Sequence, residues 1–109
     1  MLRTKEQVNK ICTACPLAKT ANIIGDTFTL LIIRDLLEKP RRFGDIEHSL
    51  SGVSSRTITK KLKFLEEKKI IKRTHLTDKP PRVEYSLTKD GKELSKIVES
   101  MRSYGKRFL

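Results

Sequence analysis

Proline and glycine are scarce in this sequence, which has four prolines, five glycines and no tryptophan among its 109 residues. Disordered and fibrous chains are usually rich in proline and glycine, so the composition indicates a folded chain. The longest purely aliphatic run, residues 30–33, is far shorter than the roughly 20 apolar residues of a membrane-spanning helix. No apolar stretch follows the charges at the N-terminus, so we expect no secretory signal, no membrane association and a cytoplasmic location.

Cysteine is also scarce, since Cys12 and Cys15 are the two cysteines of the chain. Two cysteines are too few for a disulfide scaffold. A zinc site needs about four ligands, and His48 and His75 lie too far apart in the sequence for the paired spacing of a zinc finger. We therefore expect no metal and no cofactor. The sequence also has no glycine-rich phosphate loop and no serine, histidine and acid set, so we predict that the protein is not an enzyme.

A chain of 109 residues with 37% hydrophobic residues predicts one compact domain, residues 1–109.

Positive charge is abundant and unevenly distributed. Lysine and arginine number 24 against 13 acidic residues, which gives a net charge of +11. Most of the excess lies in residues 39–82, with 13 basic and 5 acidic residues. Clustered positive charge is typical of nucleic-acid binders, and a purely solubilising surface is the alternative interpretation.

Three helices are predicted in the first half of the chain. The first runs from Pro16, which suits a first helical turn, to Gly25, which suits a left-handed end. A second helix, capped by Thr27, carries an apolar run and ends before Pro40, so we expect it to be the central buried helix. A short third helix is predicted at residues 43–50, where apolar residues are spaced by three and four.

A fourth helix is predicted to begin at Ser54 and to have two different faces. With about 100° of rotation per residue, three apolar residues share one narrow arc that faces the core: Ile58, Leu62 and Leu65. The other half carries cations and hydroxyls: Arg56, Thr59, Lys60 and Lys63, flanked by Ser55 and Thr57. A recognition helix reads bases with its N-terminal residues and binds phosphates with its cations, so the pattern favours DNA binding. An ordinary amphipathic surface helix is the alternative.

Two short strands are predicted after this helix. They cover residues 70–75 and 82–87, and a polar turn at residues 76–81 joins them. Two strands joined by a basic loop directly after a helix-turn-helix are typical of a winged helix. Lys79 and Arg82 would then contact the phosphate backbone or the neighbouring minor groove. A generic surface hairpin is the alternative.

A last helix, with Thr88 as its predicted cap, carries a long apolar stripe. Six residues spaced by three and four form this stripe: Leu94, Ile97, Val98, Met101, Tyr104 and Phe108. The stripe is longer than a small three-helix core can cover, so part of it is predicted to pack on another chain. The alternative is that the helix packs back across its own domain. Both arrangements can hold, since some turns of the helix can pack on their own domain and others on another chain.

Several segments stand in a characteristic order along residues 12–105. They are Cys15-Pro16-Leu17, Ile24-Gly25-Asp26, residues 30–36, Arg42-Phe43-Gly44-Asp45-Ile46, residues 54–65 and, most specific of all, Pro80-Pro81-Arg82-Val83-Glu84-Tyr85. This series resembles the HxlR-type family of prokaryotic winged-helix transcriptional regulators. One departure is Thr27-Phe28, where the family usually has a basic residue followed by tryptophan, although Phe28 can still fill an aromatic core position.

The resemblance implies a mainly α-helical winged helix-turn-helix with a small β-hairpin wing. It also implies a homodimer that binds a two-fold symmetric operator in double-stranded DNA. Residues 16–88 would form the winged-helix core, and residues 1–15 and 89–109 would be dimerisation elements. Cys15 stands at a position similar to redox-reactive cysteines of some family members, and a helix N-terminus favours the thiolate. Cys12 and Cys15 are therefore candidate redox residues, and small packing residues are the alternative.

The predicted function is a transcriptional regulator that binds duplex DNA. Ten residues are predicted to contact DNA: Arg42, Ser54, Ser55, Arg56, Thr57, Thr59, Lys60, Lys63, Lys79 and Arg82. A winged-helix protein-interaction module is one alternative, but the centre of a docking surface should be depleted in lysine. An RNA-binding accessory protein is another, but the narrow major groove of RNA cannot be read by a helix.

Overall fold

The computed structural model describes residues 15–109, which form six helices and one two-stranded hairpin. The elements in chain order are α1 (Pro16–Ile24), α2 (Thr27–Glu38), α3 (Phe43–Ser49), α4 (Ser55–Glu67), β1 (Ile71–Asp78), β2 (Pro81–Leu87), α5 (Lys89–Lys92) and α6 (Ser95–Phe108). This order confirms the predicted fold, a mainly α-helical winged helix-turn-helix with a small hairpin wing. None of the helices described is long and apolar enough to span a membrane.

The core lies where α2, α3 and α4 meet. Ile32 and Ile33 of α2, Ile46 of α3, and Ile58 and Leu65 of α4 are each 0% exposed. Burying one aliphatic side chain of this size stabilises a fold by about 1.5–3 kcal/mol. Helix α2 is the central buried helix, as predicted, and the shared core fixes how α3 and α4 cross.

The junction between α1 and α2 differs from the prediction in two details. Gly25 ends α1, but its φ of −72° is not left-handed. Glycine is needed there because a Cβ atom would collide with the carbonyl oxygen of Ala21. The cap of α2 is Asp26 instead of Thr27, and its Oδ2 accepts hydrogen bonds from N and Oγ1 of Thr29, both at 3.0 Å. A carboxylate caps better than a threonine because it also interacts with the positive end of the helix dipole.

The hairpin is longer than predicted. Strand β1 continues through residue 78 and β2 begins at residue 81, so the turn between them is residues 79–80 and the predicted bounds of the turn, residues 76–81, are too wide. At the tip, Thr77 Oγ1 donates a hydrogen bond to the carbonyl of Pro80 at 2.7 Å. This hydrogen bond and the continued strand pairing hold the end of β1 in a regular strand, although the polarity of the segment is typical of a loop.

The segment before α3 adds a further bridge to the hairpin. The amide of Arg41 donates to the carbonyl of Tyr85 at 2.9 Å, and the amide of Tyr85 donates to the carbonyl of Arg41 at 2.7 Å. The Arg41 guanidinium also lies 3.4 Å from Glu38 and donates to the carbonyl of Asp35 at 3.3 Å. Arg41 therefore ties the wing to α2 and to the start of the helix-turn-helix.

The predicted last helix is in fact two helices. Thr88 caps α5 as predicted, and its Oγ1 accepts a hydrogen bond from the amide of Gly91 at 3.0 Å. The amides of Glu93 and Leu94 then bond to carbonyls three residues earlier instead of four, which interrupts the α-helical pattern before α6 begins. The prediction of one continuous helix is therefore wrong.

The apolar stripe of α6 is covered only over its first turns. Val98 packs into the core and is 8% exposed. Met101, Tyr104 and Phe108 are 50%, 60% and 61% exposed. Packing within the described part of the chain therefore leaves the second half of the stripe in solvent.

Candidate nucleic-acid interface

Helices α3 and α4 form a helix-turn-helix in which α4 is held by its apolar face. The turn between them contains Gly52, whose φ of +94° is rarely adopted by other residues. Ser54 caps α4, since its Oγ accepts a hydrogen bond from the amide of Thr57 at 3.1 Å. The buried face of α4 consists of three residues: Ile58, Leu62 and Leu65. With this face anchored, the opposite face points away from the core.

The outward face of α4 carries the cations expected from the sequence. Arg56, Lys60 and Lys63 are all exposed. None of them belongs to the ion pairs formed among residues 15–109. Their charges are therefore available to an anionic ligand, and the spacing of one helical turn suits a row of phosphates.

The hydroxyl groups at the N-terminal end of α4 are held by hydrogen bonds within the protein. Ser54 Oγ donates to Thr57 Oγ1 at 2.9 Å, and Thr59 Oγ1 donates to the carbonyl of Ser55 at 2.8 Å. Ser55 Oγ donates to a carboxylate oxygen of Glu47 in α3. These side chains are thus oriented before any ligand binds.

The hairpin brings two more predicted residues together. Arg42, which precedes α3, and Arg82, near the start of β2, line one open cleft of about 340 Å³. The amide of Arg42 donates to a carboxylate oxygen of Asp45 at 3.0 Å, which fixes the backbone while the side chain stays exposed. Lys79 lies at the exposed tip of the hairpin and does not line this cleft.

Lys61 is a cation of α4 whose charge is used inside the protein. Its Nζ lies 2.6 Å from Oδ2 of Asp26, and the two side chains are 20% and 24% exposed. The same ammonium lies 6.0 Å from the ring centroid of Phe28. Burial raises the pKa of Asp26, but the hydrogen bonds from Lys61 and Thr29 outweigh it and hold this pKa below its ordinary value of 3.8.

Two residues at this surface were not predicted from the sequence. Glu47 lies on α3 and reaches Ser55 only through the crossing of two helices, and no sequence pattern indicates that contact. Arg41 and Arg42 are adjacent in the sequence, but only the strand bridge to Tyr85 decides that Arg41 is half-buried and Arg42 exposed.

Comparison with known proteins identifies this arrangement. A family model described as an HxlR-like helix-turn-helix matches residues 23–109. The chain belongs to the HxlR-like helix-turn-helix family. The HTH-type transcriptional regulator sll1512 of Synechocystis sp. is 35% identical to this chain over 95 residues, which cover 87% of this chain and 70% of that protein. The resemblance to HxlR-type regulators is thus confirmed, and the chain is a helix-turn-helix transcriptional regulator.

Solved structures support the same fold for this HxlR-like protein. A structure described as a MarR-family transcriptional regulator from Porphyromonas gingivalis W83 has a TM-score of 0.81 and 31% identity, and the match covers 100% of this chain and 99% of that chain. The redox regulator HypR in its reduced form has a TM-score of 0.81 and 29% identity, with 84% and 91% of the two chains covered. Both similarities extend over nearly the whole winged helix.

Cys15 is the N-terminal cap residue of α1 in this HxlR-like chain. Its thiol is free and partly exposed, and its side chain makes no capping hydrogen bond. Cys12, the other candidate redox residue, lies outside the described residues. Between residues 15 and 109, no three histidine, cysteine, aspartate or glutamate side chains are placed to hold a metal ion.

Proposed function

We propose that this HxlR-like regulator binds a two-fold symmetric operator in duplex DNA as a homodimer. Helix α4 would enter the major groove, and the hairpin would lie along the neighbouring backbone. One observation carries this proposal: α4 is anchored by a buried face and presents on the opposite face Arg56, Lys60 and Lys63, which form no ion pair with residues 15–109. The ligand would be chromosomal DNA, so the protein would act in the cytoplasm of a prokaryotic cell.

The ten predicted residues would have two different tasks. Bases would be read by side chains near the N-terminal end of α4: Ser54, Ser55, Arg56, Thr57 and Thr59. Phosphates would be bound by the surrounding cations: Arg42, Lys60, Lys63, Lys79 and Arg82. This division follows from chemistry, because phosphate contacts position a protein on DNA and base contacts select the sequence.

The dimer would form through the uncovered end of α6. Met101, Tyr104 and Phe108 are half-exposed or more, and the rings of Tyr104 and Phe108 lie 4.9 Å apart. On α1, Leu17 is 77% exposed. An apolar surface of this kind favours burial against a second copy, and two-fold symmetry would then place two α4 helices about 34 Å apart, one turn of DNA.

Two experiments test this function. One titrates the protein with a random-sequence duplex, and the other selects the duplexes that the protein binds from a random pool. We expect affinity to fall steeply with salt, by about 0.9 log units per log unit of salt for each phosphate neutralised. We also expect the selected sequences to form an inverted repeat. Duplex RNA of the same sequence should bind much more weakly, because α4 cannot enter its major groove. Equal binding of RNA, or no selected sequence, would contradict the proposal.

We also propose that oxidation of the thiols changes DNA binding. Cys15 is a free thiol at the start of α1, and Cys12 precedes it by three residues. The similarity to HypR, described as a redox regulator, extends to its oxidised form, with a TM-score of 0.80 and 30% identity. Helix α1 leads directly to Asp26, which contacts Lys61 of α4, so a physical connection from the thiol to α4 exists.

A further inference from the structure

Three hydroxyl protons at the N-terminal end of α4 are already donated within the protein, those of Ser54, Ser55 and Thr59. Ser54 donates to Thr57, Thr59 donates to a backbone carbonyl, and Ser55 donates to Glu47. The Ser55 contact differs from the others because its partner comes from α3 and carries a negative charge. Glu47 therefore places a carboxylate beside the exposed first turn of α4.

This hydrogen bond decides which groups Ser55 can offer to DNA. A hydroxyl that donates its proton inward keeps only its lone pairs for a ligand, and a carboxylate accepts hydrogen bonds but donates none. In the major groove, the exocyclic amino groups of cytosine and adenine are donors. Guanine O6 and N7 and thymine O4 are acceptors there. Ser55 and Glu47 together thus match a base that donates.

We propose that Glu47 is a specificity-determining residue of the DNA interface. It holds the Ser55 hydroxyl with its proton turned away from DNA, and the Ser55–Glu47 pair accepts a hydrogen bond from the exocyclic amino group of cytosine or adenine. Guanine or thymine at the same position would bring acceptor against acceptor and is rejected. This inference rests on the proposed binding of α4 in the major groove.

A purely structural role for the contact makes a different prediction. If Ser55 and Glu47 only join α3 to α4, then replacing either residue lowers stability and weakens all duplexes equally. A role in specificity instead changes the preference at one base position in each half-site and leaves the other positions as they were. The preference at that position is therefore the measurement that separates the two roles.

The experiment selects bound duplexes from a random pool with wild type, Glu47→Gln, Ser55→Ala and Glu67→Gln. We expect one position to be restricted to cytosine or adenine in wild type. In Glu47→Gln the preference at that position should fall about tenfold or shift towards guanine and thymine, because an amide adds a donor. Glu67→Gln makes the same charge change at the other end of α4 and should leave the preference unchanged.

A modified operator gives a second measurement. At the assigned position, the base is replaced by its analogue without the exocyclic amino group. Wild type should lose about tenfold in affinity, and both Glu47→Gln and Ser55→Ala should lose little further. Ser55→Ala removes only an exposed hydroxyl, so it keeps the test valid if Glu47→Gln fails to fold.

Two outcomes overturn the inference while leaving the proposed function intact. One is a wild-type protein that selects an operator which Glu47→Gln and Ser55→Ala select unchanged. The other is an affected position that prefers guanine or thymine in wild type. Failure of wild type to select any duplex would instead contradict the proposed function itself, so the two failures are distinguishable.

Discussion

The ammonium of Lys61 lies 2.6 Å from Oδ2 of Asp26, so α4 is joined by an ion pair to the N-terminal cap of the central helix α2. The same carboxylate oxygen accepts hydrogen bonds from Thr29. One aspartate thus stabilises the start of α2 and the position of the helix proposed to bind DNA. Lys61 also shows that lysines of one helix have different tasks, which charge counting cannot separate.

The first prediction compares Lys61 with its neighbour Lys63. Lys61→Met should lower the free energy of unfolding by about 1 kcal/mol, because it removes a pair that is mostly shielded from solvent. Lys63→Met is the matched control and should change stability by less than about 0.5 kcal/mol, since Lys63 is exposed and outside the ion pairs of the described residues. Urea unfolding followed by far-UV circular dichroism measures both, and equal effects would contradict the assignment.

The second prediction concerns acid. The pKa of Asp26 is lower in the folded protein than its ordinary value of 3.8, so its carboxylate stabilises the fold above that value. This stabilisation is lost as the pH falls through the lowered pKa. Asp26→Asn keeps a capping side chain but lacks the charge. The difference in unfolding free energy between wild type and Asp26→Asn should be constant between about pH 7 and pH 5 and should shrink below about pH 4. A difference independent of pH would refute this.

The third prediction separates phosphate contacts from base contacts. Lys60→Ala and Lys63→Ala should weaken specific and random duplexes alike, and each should reduce the salt slope by about 1. Arg56→Ala should also reduce sequence preference, because an arginine can bond both acceptors of guanine. Lys96→Ala, an exposed lysine on α6 paired with Glu93, is the control and should change neither property. Fluorescence anisotropy of labelled duplexes between about 50 and 200 mM salt gives all of these values.

The sequence predicts those parts of the fold that depend on local patterns. The apolar arc of Ile58, Leu62 and Leu65 is a property of one helix, so its burial and the outward direction of the cations could be predicted. The division of the last helix at Glu93 could not be predicted in this way. Nor could the close approach of Gly91 to the carbonyl of Ile70, which is a contact between distant parts of the chain.

The contacts between helices at the candidate site could not be predicted from the sequence either. The partners of Lys61 and Ser55 are Asp26 and Glu47, and both lie on other helices. Periodicity places each side chain on a face of its own helix but does not say which residue of a neighbouring helix meets it. Likewise, Thr77 and Asp78 pair with β2 at the tip of the wing, although the sequence there is polar and typical of a loop.

The fourth prediction concerns the dimer. Tyr104→Glu places a charge in the exposed half of the apolar stripe and should give a folded monomer, because Tyr104 is 60% exposed and contributes little to the core. Operator affinity should fall sharply, since one α4 helix contacts only one half-site. Lys106→Glu introduces the same residue on the same helix but outside the stripe, so it should remain dimeric. Analytical ultracentrifugation decides this, and a monomeric wild type at micromolar concentration would contradict the prediction.

The last prediction concerns Cys12 and Cys15. Diamide takes two electrons and two protons from a pair of thiols and leaves a disulfide, which dithiothreitol reduces again. We expect diamide to change the affinity of wild type for its operator and dithiothreitol to restore it. The physical reason is that α1 begins directly after Cys15 and ends close to Asp26, so a constraint on its first turn acts on the contact with Lys61 and on the separation of the two α4 helices.

Single serine variants assign the thiols. Loss of the response in both Cys15→Ser and Cys12→Ser indicates a disulfide between the two residues, and non-reducing electrophoresis shows whether it joins one chain or two. Loss in Cys15→Ser alone makes Cys15 the reacting thiol, which then pairs with Cys15 of a second copy. The double variant has no thiol, because the chain has two cysteines, and it controls for effects of diamide on DNA or on other side chains. If oxidised and reduced wild type bind the operator equally, the thiols do not regulate binding, and Cys15 serves only as a small residue at the start of α1.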